Sequence, residues 1–144
     1  MIYWFTGQPG AGKTTLAKYL VEYYQESSVI HIDGDDLRSI FNNKDYSEAG
    51  RRKNIERAQD IALFMNSKGY EVVVSLVAPY KDQRDQFKSQ NSVVEIYVHT
   101  SETRGRESFH VAEYEAPTEN FIDIDTTIKN ETDSYYELLK KINL

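Results

Sequence analysis

The stretch Gly7-Gln8-Pro9-Gly10-Ala11-Gly12-Lys13-Thr14 matches G-x-x-x-x-G-K-[ST] without a mismatch, and few patterns of this length restrict a fold so tightly. Glycines let such a loop curl until several backbone N–H groups point inward at phosphate oxygens. A helix N-terminus at the same spot adds partial positive charge. The flanks fit: Ile2-Tyr3-Trp4-Phe5-Thr6 predicts a short buried strand, and Thr14 to about Gln25 predicts a helix. Gly7, Gly10 and Gly12 then shape the cradle, with Thr15 in the first helical turn. Lys13 reaches the β/γ-phosphates, and the Thr14 hydroxyl ligates Mg²⁺. The expected cofactors are a nucleoside triphosphate and Mg²⁺. A dinucleotide loop is excluded: its G-x-G-x-x-G would read Gly10-x-Gly12-x-x-Thr15, so the third glycine is missing.

Length and charge narrow the function classes. A chain of 144 residues is expected to form one domain, 1–144, with no room for elaborate additions. It has no cysteine, hence no disulfide framework and no Cys-based nucleophile. No stretch approaches a membrane span, and the apolar Met1–Phe5 segment runs directly into the phosphate loop. A cleavable signal is therefore not expected, nor a membrane partner, and a cytoplasmic setting is. The net charge of −6 is carried entirely by residues 107–144, with nine acidic and three basic residues. Among residues 1–106 a local basic concentration comprises Arg38, Lys44, Arg51, Arg52, Lys53 and Arg57. Such a balance argues against a nucleic-acid polymer as partner and favours a small anionic metabolite.

Further strands are predicted at 29–33, 71–76, 93–98 and 121–125, with helices at about 47–67 (stopped at Gly69) and 82–89. Tyr135, Leu138, Leu139 and Ile142 recur at helical spacing and mark an amphipathic closing helix. The 71–76 run is almost continuously apolar, as in a parallel strand covered on both faces. Strands interleaved with helices predict an α/β fold: an open parallel five-stranded sheet of the P-loop NTPase type, with helices on both faces. Ligands bind such sheets at the carboxyl ends of the strands, where Thr6/Gly7, Asp33, Ser75 and His99/Thr100 fall.

Around that rim, Asp33-Gly34-Asp35-Asp36-Leu37-Arg38 offers two carboxylates about a glycine. One can order the metal's waters while the other accepts a proton from an attacking hydroxyl. The same residues also suit an acidic turn capping a helix. Arg51 and Asn54 share a helix face that continues as Ile55, Ala58, Ile61, Ala62 and Met65, so both are expected in the cleft. Arg52 and Lys53 read as solvated. Tyr46 and Phe109 are loop aromatics beside charges, suited to a flat ligand or to core packing. His31, His99 and His110 receive no role from spacing.

These motifs together resemble the adenylylsulfate (APS) kinases, which phosphorylate the ribose 3′-hydroxyl of adenosine 5′-phosphosulfate with ATP. Gly7–Thr14 is similar to their phosphate loop and Asp33–Arg38 to D-G-D-N-x-R. Arg51–Arg57 is similar to R-x-x-N-I-x-R, Ser75–Tyr80 with Arg84 to S-x-I-S-P-[FY] followed by arginine, and Tyr114-Glu115-Ala116-Pro117 with Asp125-Thr126 to Y-E-A-P and its closing D-T. The resemblance implies that Lys13 and Thr14 serve ATP·Mg²⁺, that Asp33 organises the metal and that Asp35 is the base. It implies that Arg38, Arg51, Asn54 and Ser75 hold the nucleotide substrate, that Tyr46 and Phe109 sandwich its adenine, and that Arg106 lies beside the ATP adenine. It also implies a homodimer.

Three departures stand out. Asp36 replaces the family's Asn, and Ala78 replaces the serine before proline, which excludes a phosphoserine intermediate there. Residues 101–108 replace a longer cationic lid, and Arg104 and Arg106 are expected to supply part of its charge. A short lid leaves open a related kinase acting on another small nucleotide-like alcohol. An ATP-binding module without turnover is the third alternative.

Overall fold

A computed structural model describes residues 1–25 and 28–144. The elements in chain order are β1 (Ile2–Thr6), α1 (Lys13–Tyr24), β2 (Val29–Asp33), α2 (Gly34–Ile40), α3 (Glu48–Ser67), β3 (Glu71–Ser75), α4 (Lys81–Gln90), β4 (Val93–His99), a 3₁₀ turn (Glu107–Phe109), β5 (Ile122–Asp125) and α5 (Glu131–Lys141). The five strands form one sheet in the order β2-β3-β1-β4-β5, and every neighbouring pair is parallel. The chain thus leaves β1 for the far edge, returns through β3, and only then crosses to β4. That reversal opens a crevice at the carboxyl end of β1, where the phosphate loop begins.

The alternation of side chains along β1 explains its central place. All five of its residues are buried. Ile2 and Trp4 enter a layer with Ile55, Ala58 and Ala62 of α3 and Phe87 of α4, while Tyr3 and Phe5 enter a second layer with Leu16, Ala17 and Leu20 of α1 and Leu138 of α5. Each fully buried Ile or Phe contributes about 1.5–3 kcal/mol, so a one-residue slip would cost both layers. Helices cover both faces, as the alternating pattern predicted.

The helix α2 was not legible from periodicity, because seven residues span barely two turns. It forms because Asp33 caps it: Asp33 Oδ2 accepts the Asp35 N–H at 3.2 Å. The capping expected of this acidic turn is thus present, on a carboxylate that also stands at the rim. At the opposite edge of the crevice a buried ion network fixes α4. Arg84 Nε donates to Glu95 Oε2 at 2.9 Å and Lys88 Nζ to Glu95 Oε1 at 2.6 Å. Arg84 also donates to the Ala78 carbonyl at 2.6 Å, which ties the segment after β3 into place. Breaking one partner of such a network leaves a buried charge unpaired, a cost of about 3–5 kcal/mol.

Candidate active site

The phosphate loop is held by steric necessity. Gly7 has φ 151°, and a Cβ there would lie 2.1 Å from the Val98 carbonyl oxygen; it shapes the turn and does not line either cavity described below. Gly12, at φ 109°, delivers the chain into α1. Lys13 Nζ donates to the Gln8 carbonyl at 3.0 Å. Burial pushes the Lys13 ammonium down from its ordinary 10.5 to about 8; Asp33 and Asp35 pull it back up, and Arg106 adds to the depression. A cation that is short of compensating charge in a dry cradle is poised for a polyphosphate.

Asp33 is the hub of the rim. Its Oδ1 accepts from Ser75 Oγ at 3.0 Å and lies 3.4 Å from the Thr14 hydroxyl. The pairing register sets this up, since Asp33 stands opposite Ser75. A hydroxyl and a carboxylate side by side are hard oxygen donors, the set that suits Mg²⁺ shared with substrate phosphates and water. The residues present fit that ion.

Two cavities meet at Gly10, Lys13, Thr14 and Arg106. The first, about 860 Å³, is also lined by Gly12, Thr15, Arg104, Thr126 and the start of α5. The second, about 580 Å³, contains Asp33, Asp35, Arg38, Tyr46, Arg51, Asn54, Ser75 and Phe109. Nearly every residue singled out from sequence thus borders one cavity or the other. Asn54 is buried and donates to the Gly34 carbonyl at 3.3 Å, while its Oδ1 has no partner among the described residues. Arg51 pairs with Glu113 at 2.6 Å. Arg38 donates to the carbonyls of Asn43 and Asp45, both at 3.1 Å, and its guanidinium lies 4.0 Å from the Tyr46 ring centre. Arg106 similarly covers Phe109, at 5.3 Å. Ser75 sits at 2% exposure, with its hydroxyl spent on Asp33 and His31; its place is behind the carboxylate.

Four site features escaped the sequence reading. Gln8 clamps Val111 through both amide atoms, each contact 2.8 Å, which seats the 107–114 segment over the phosphate loop. Thr6 donates to the Val77 carbonyl at 2.7 Å, so the Tyr114 hydroxyl, 2.9 Å away, donates to Thr6. That bond gives the Y-E-A-P tyrosine a physical purpose. Arg104 has a task beyond its charge: its guanidinium is engaged by the carbonyls of Gly10, Ala11 and Thr126. It braces the loop while still lining the first cavity. Lastly, His31 Nε2 lies 2.8 Å from Ser75 Oγ. None of these pairings has a signal in sequence spacing beyond the Tyr114 motif itself.

Strand, glycine loop, helix and a rim of carboxylates facing a lysine define a phosphotransferase of the phosphate-loop class. The adenylylsulphate kinase family matches residues 1–133, and the chain belongs to that family. It is 29% identical over 139 residues to an adenylyl-sulfate kinase of Burkholderia ambifaria, covering 90% of this chain and 77% of that one. An adenylyl-sulfate kinase of Oceanobacillus iheyensis is 33% identical over 106 residues, covering 69% of this chain. This chain spans about half that relative's length, 53%. The fold matches a Mycobacterium tuberculosis APS kinase solved with AMPPNP and APS, at TM-score 0.84 and 19% identity over 99% of this chain and 97% of that one. It also matches a Sinorhizobium meliloti gluconokinase at TM-score 0.70 and 14% identity, over 98% and 90%. The fold is therefore shared by kinases with different acceptors, and only side chains can choose among them.

Proposed function

We propose that the chain transfers the γ-phosphoryl group of ATP to the ribose 3′-hydroxyl of adenosine 5′-phosphosulfate, giving 3′-phosphoadenosine 5′-phosphosulfate and ADP. The observation that carries this reading is the second cavity. It sets Asp35, Arg38, Arg51, Asn54 and two aromatic rings directly across Lys13 from the first.

In this reading ATP occupies the first cavity with its phosphates on the loop amides and Lys13. Mg²⁺, held by Thr14 and through Asp33, would neutralise charge building on the β- and γ-oxygens. Asp35 takes the proton of the acceptor hydroxyl. Lys13 follows the transferred group, and Arg106, at the junction of the cavities, faces both substrates. Arg51 and Asn54 bind the acceptor, and Asn54 Oδ1 gains there the partner it lacks. Tyr46 and Phe109 stack on the adenine. Ala78 leaves no hydroxyl for a covalent relay, so transfer is direct and in line.

A place in sulfate activation, a cytoplasmic setting and a homodimer belong to the same reading. They are supported by family membership. A second acceptor, another small nucleotide-like alcohol, is favoured by one observation: the 101–108 segment is short and is braced against the loop by Arg104. The test is transfer from γ-labelled ATP with Mg²⁺ to adenosine 5′-phosphosulfate beside a panel of such alcohols. A 3′-phosphorylated product made preferentially from adenosine 5′-phosphosulfate is the expected result. Turnover only with another acceptor replaces the substrate assignment, and ADP release with none leaves a binding module.

A further inference from the structure

Ser75 has one hydroxyl proton and two partners. A carboxylate only accepts, so Ser75 donates to Asp33 Oδ1 at 3.0 Å. The 2.8 Å contact with His31 must then run the other way, with His31 Nε2–H donating to Ser75 Oγ. The line continues through Asp33 Oδ1 to the Thr14 hydroxyl, while Asp33 Oδ2 is held by the Asp35 N–H. Both carboxylate oxygens are thereby oriented.

Sheet register makes the line possible. Asp33 stands opposite Ser75 and His31 opposite Val73, so His31, Asp33 and Ser75 project to the same face, the one covered by α1. His31 reaches Ser75 across the diagonal, a distance only a long side chain spans. Ser75 is almost wholly buried, so water is a poor substitute for the imidazole. Without that donor the hydroxyl is free to rotate toward another acceptor, and Asp33 loses its aim. His31 precedes the D-G-D segment and belongs to none of the motifs that carry the family resemblance.

We propose that His31 is a positioning residue: through Ser75 it orients Asp33 toward Thr14 and so sets how strongly Mg²⁺ and nucleotide reinforce each other. This rests on the kinase reading of the rim but not on the identity of the acceptor.

The experiment measures the affinity of AMPPNP, by calorimetry, with Mg²⁺ and in metal-free buffer. His31→Asn is too short to reach Ser75, whereas His31→Gln places an amide N–H near the position of Nε2. The Mg²⁺-dependent gain in affinity is expected to fall about tenfold in His31→Asn, the scale of a lost supporting hydrogen bond at a metal site. Metal-free affinity is expected to stay within about twofold by the same argument, and His31→Gln to restore most of the gain. Ser75→Ala should mimic His31→Asn, with the double variant no worse than either.

An undiminished Mg²⁺ gain in His31→Asn, or additive effects in the double variant, overturns the proposal. Nitrogen chemical shifts of His31 in the unsubstituted, metal-free protein decide the matter even if a variant does not fold. The Nε2–H tautomer is required, and Nδ1–H alone rejects the line. A protein that shows this coupling but does not phosphorylate adenosine 5′-phosphosulfate would reject the acceptor and leave the proposal standing.

Discussion

The guanidinium of Arg104 donates to the Thr126 carbonyl at 2.9 Å and to the Thr126 hydroxyl at 3.0 Å. Thr126 in turn donates to the Ala11 carbonyl at 2.9 Å. The short segment 101–108 is thus laced to the phosphate loop and to the turn after β5. Through Arg104 and Arg106 the same segment forms part of the wall of the first cavity.

Replacing Arg104 by Ala should weaken nucleotide binding about tenfold and lower the melting temperature, because several carbonyls lose a charged donor at once. Arg104→Lys should resemble Arg104→Ala more than the unsubstituted chain, since one ammonium cannot span carbonyls that a planar fork reaches together. Titration calorimetry with ATP checks both. Unchanged affinity in Arg104→Ala would show that the loop keeps its shape unaided.

The depressed Lys13 ammonium predicts a pH dependence. Its value of about 8 in the folded chain lies below its ordinary 10.5. In metal-free buffer, nucleotide affinity should fall as pH rises through 8, by up to about tenfold per unit, because the neutral amine no longer attracts phosphate. Stability of the ligand-free chain should move the other way. A group with a lowered folded value disfavours folding while charged, so this contribution improves from pH 8 toward 10.5. Lys13→Arg should flatten the affinity profile. A profile that stays steep in that variant would assign the titration to another group.

Asp35→Asn should abolish phosphoryl transfer while leaving ATP affinity within about twofold, since a general base contributes some 10²–10⁴ in rate and little to ground-state binding. Single-turnover transfer measured beside nucleotide binding separates the two. Full activity would remove Asp35 as the base.

Gly34 separates the two rim carboxylates because a Cβ there would stand 2.7 Å from the Leu76 Cβ. Gly34→Ala should cost about 1–3 kcal/mol by overpacking, seen as a melting temperature lower by about 3–10 °C. It should also impair transfer by shifting Asp33 and Asp35 relative to Lys13. A variant with unaltered melting would mean that the segment following β3 yields locally at no cost.

Geometry that depends on residues close together in the chain was legible from sequence. The phosphate loop, the capped Asp33–Arg38 segment at the rim, and the shared face of Arg51 and Asn54 all follow from spacing within a few residues. The five strands followed too, the central ones as short apolar runs and β5 as an alternating Ile-Asp-Ile-Asp edge. Strand order did not: that β2 lies outside β3, and not beside β1, depends on how α1 and α3 cover opposite faces. Nor did the partners of Ser75, since His31 lies 44 residues away and only sheet register joins them. Arg104 was read only for its charge; that it also braces the loop was not legible, because its partners are backbone carbonyls 93 and 94 residues away that no composition signals. Local geometry is written in spacing, but the use of a polar group is decided by what the tertiary fold leaves within its reach.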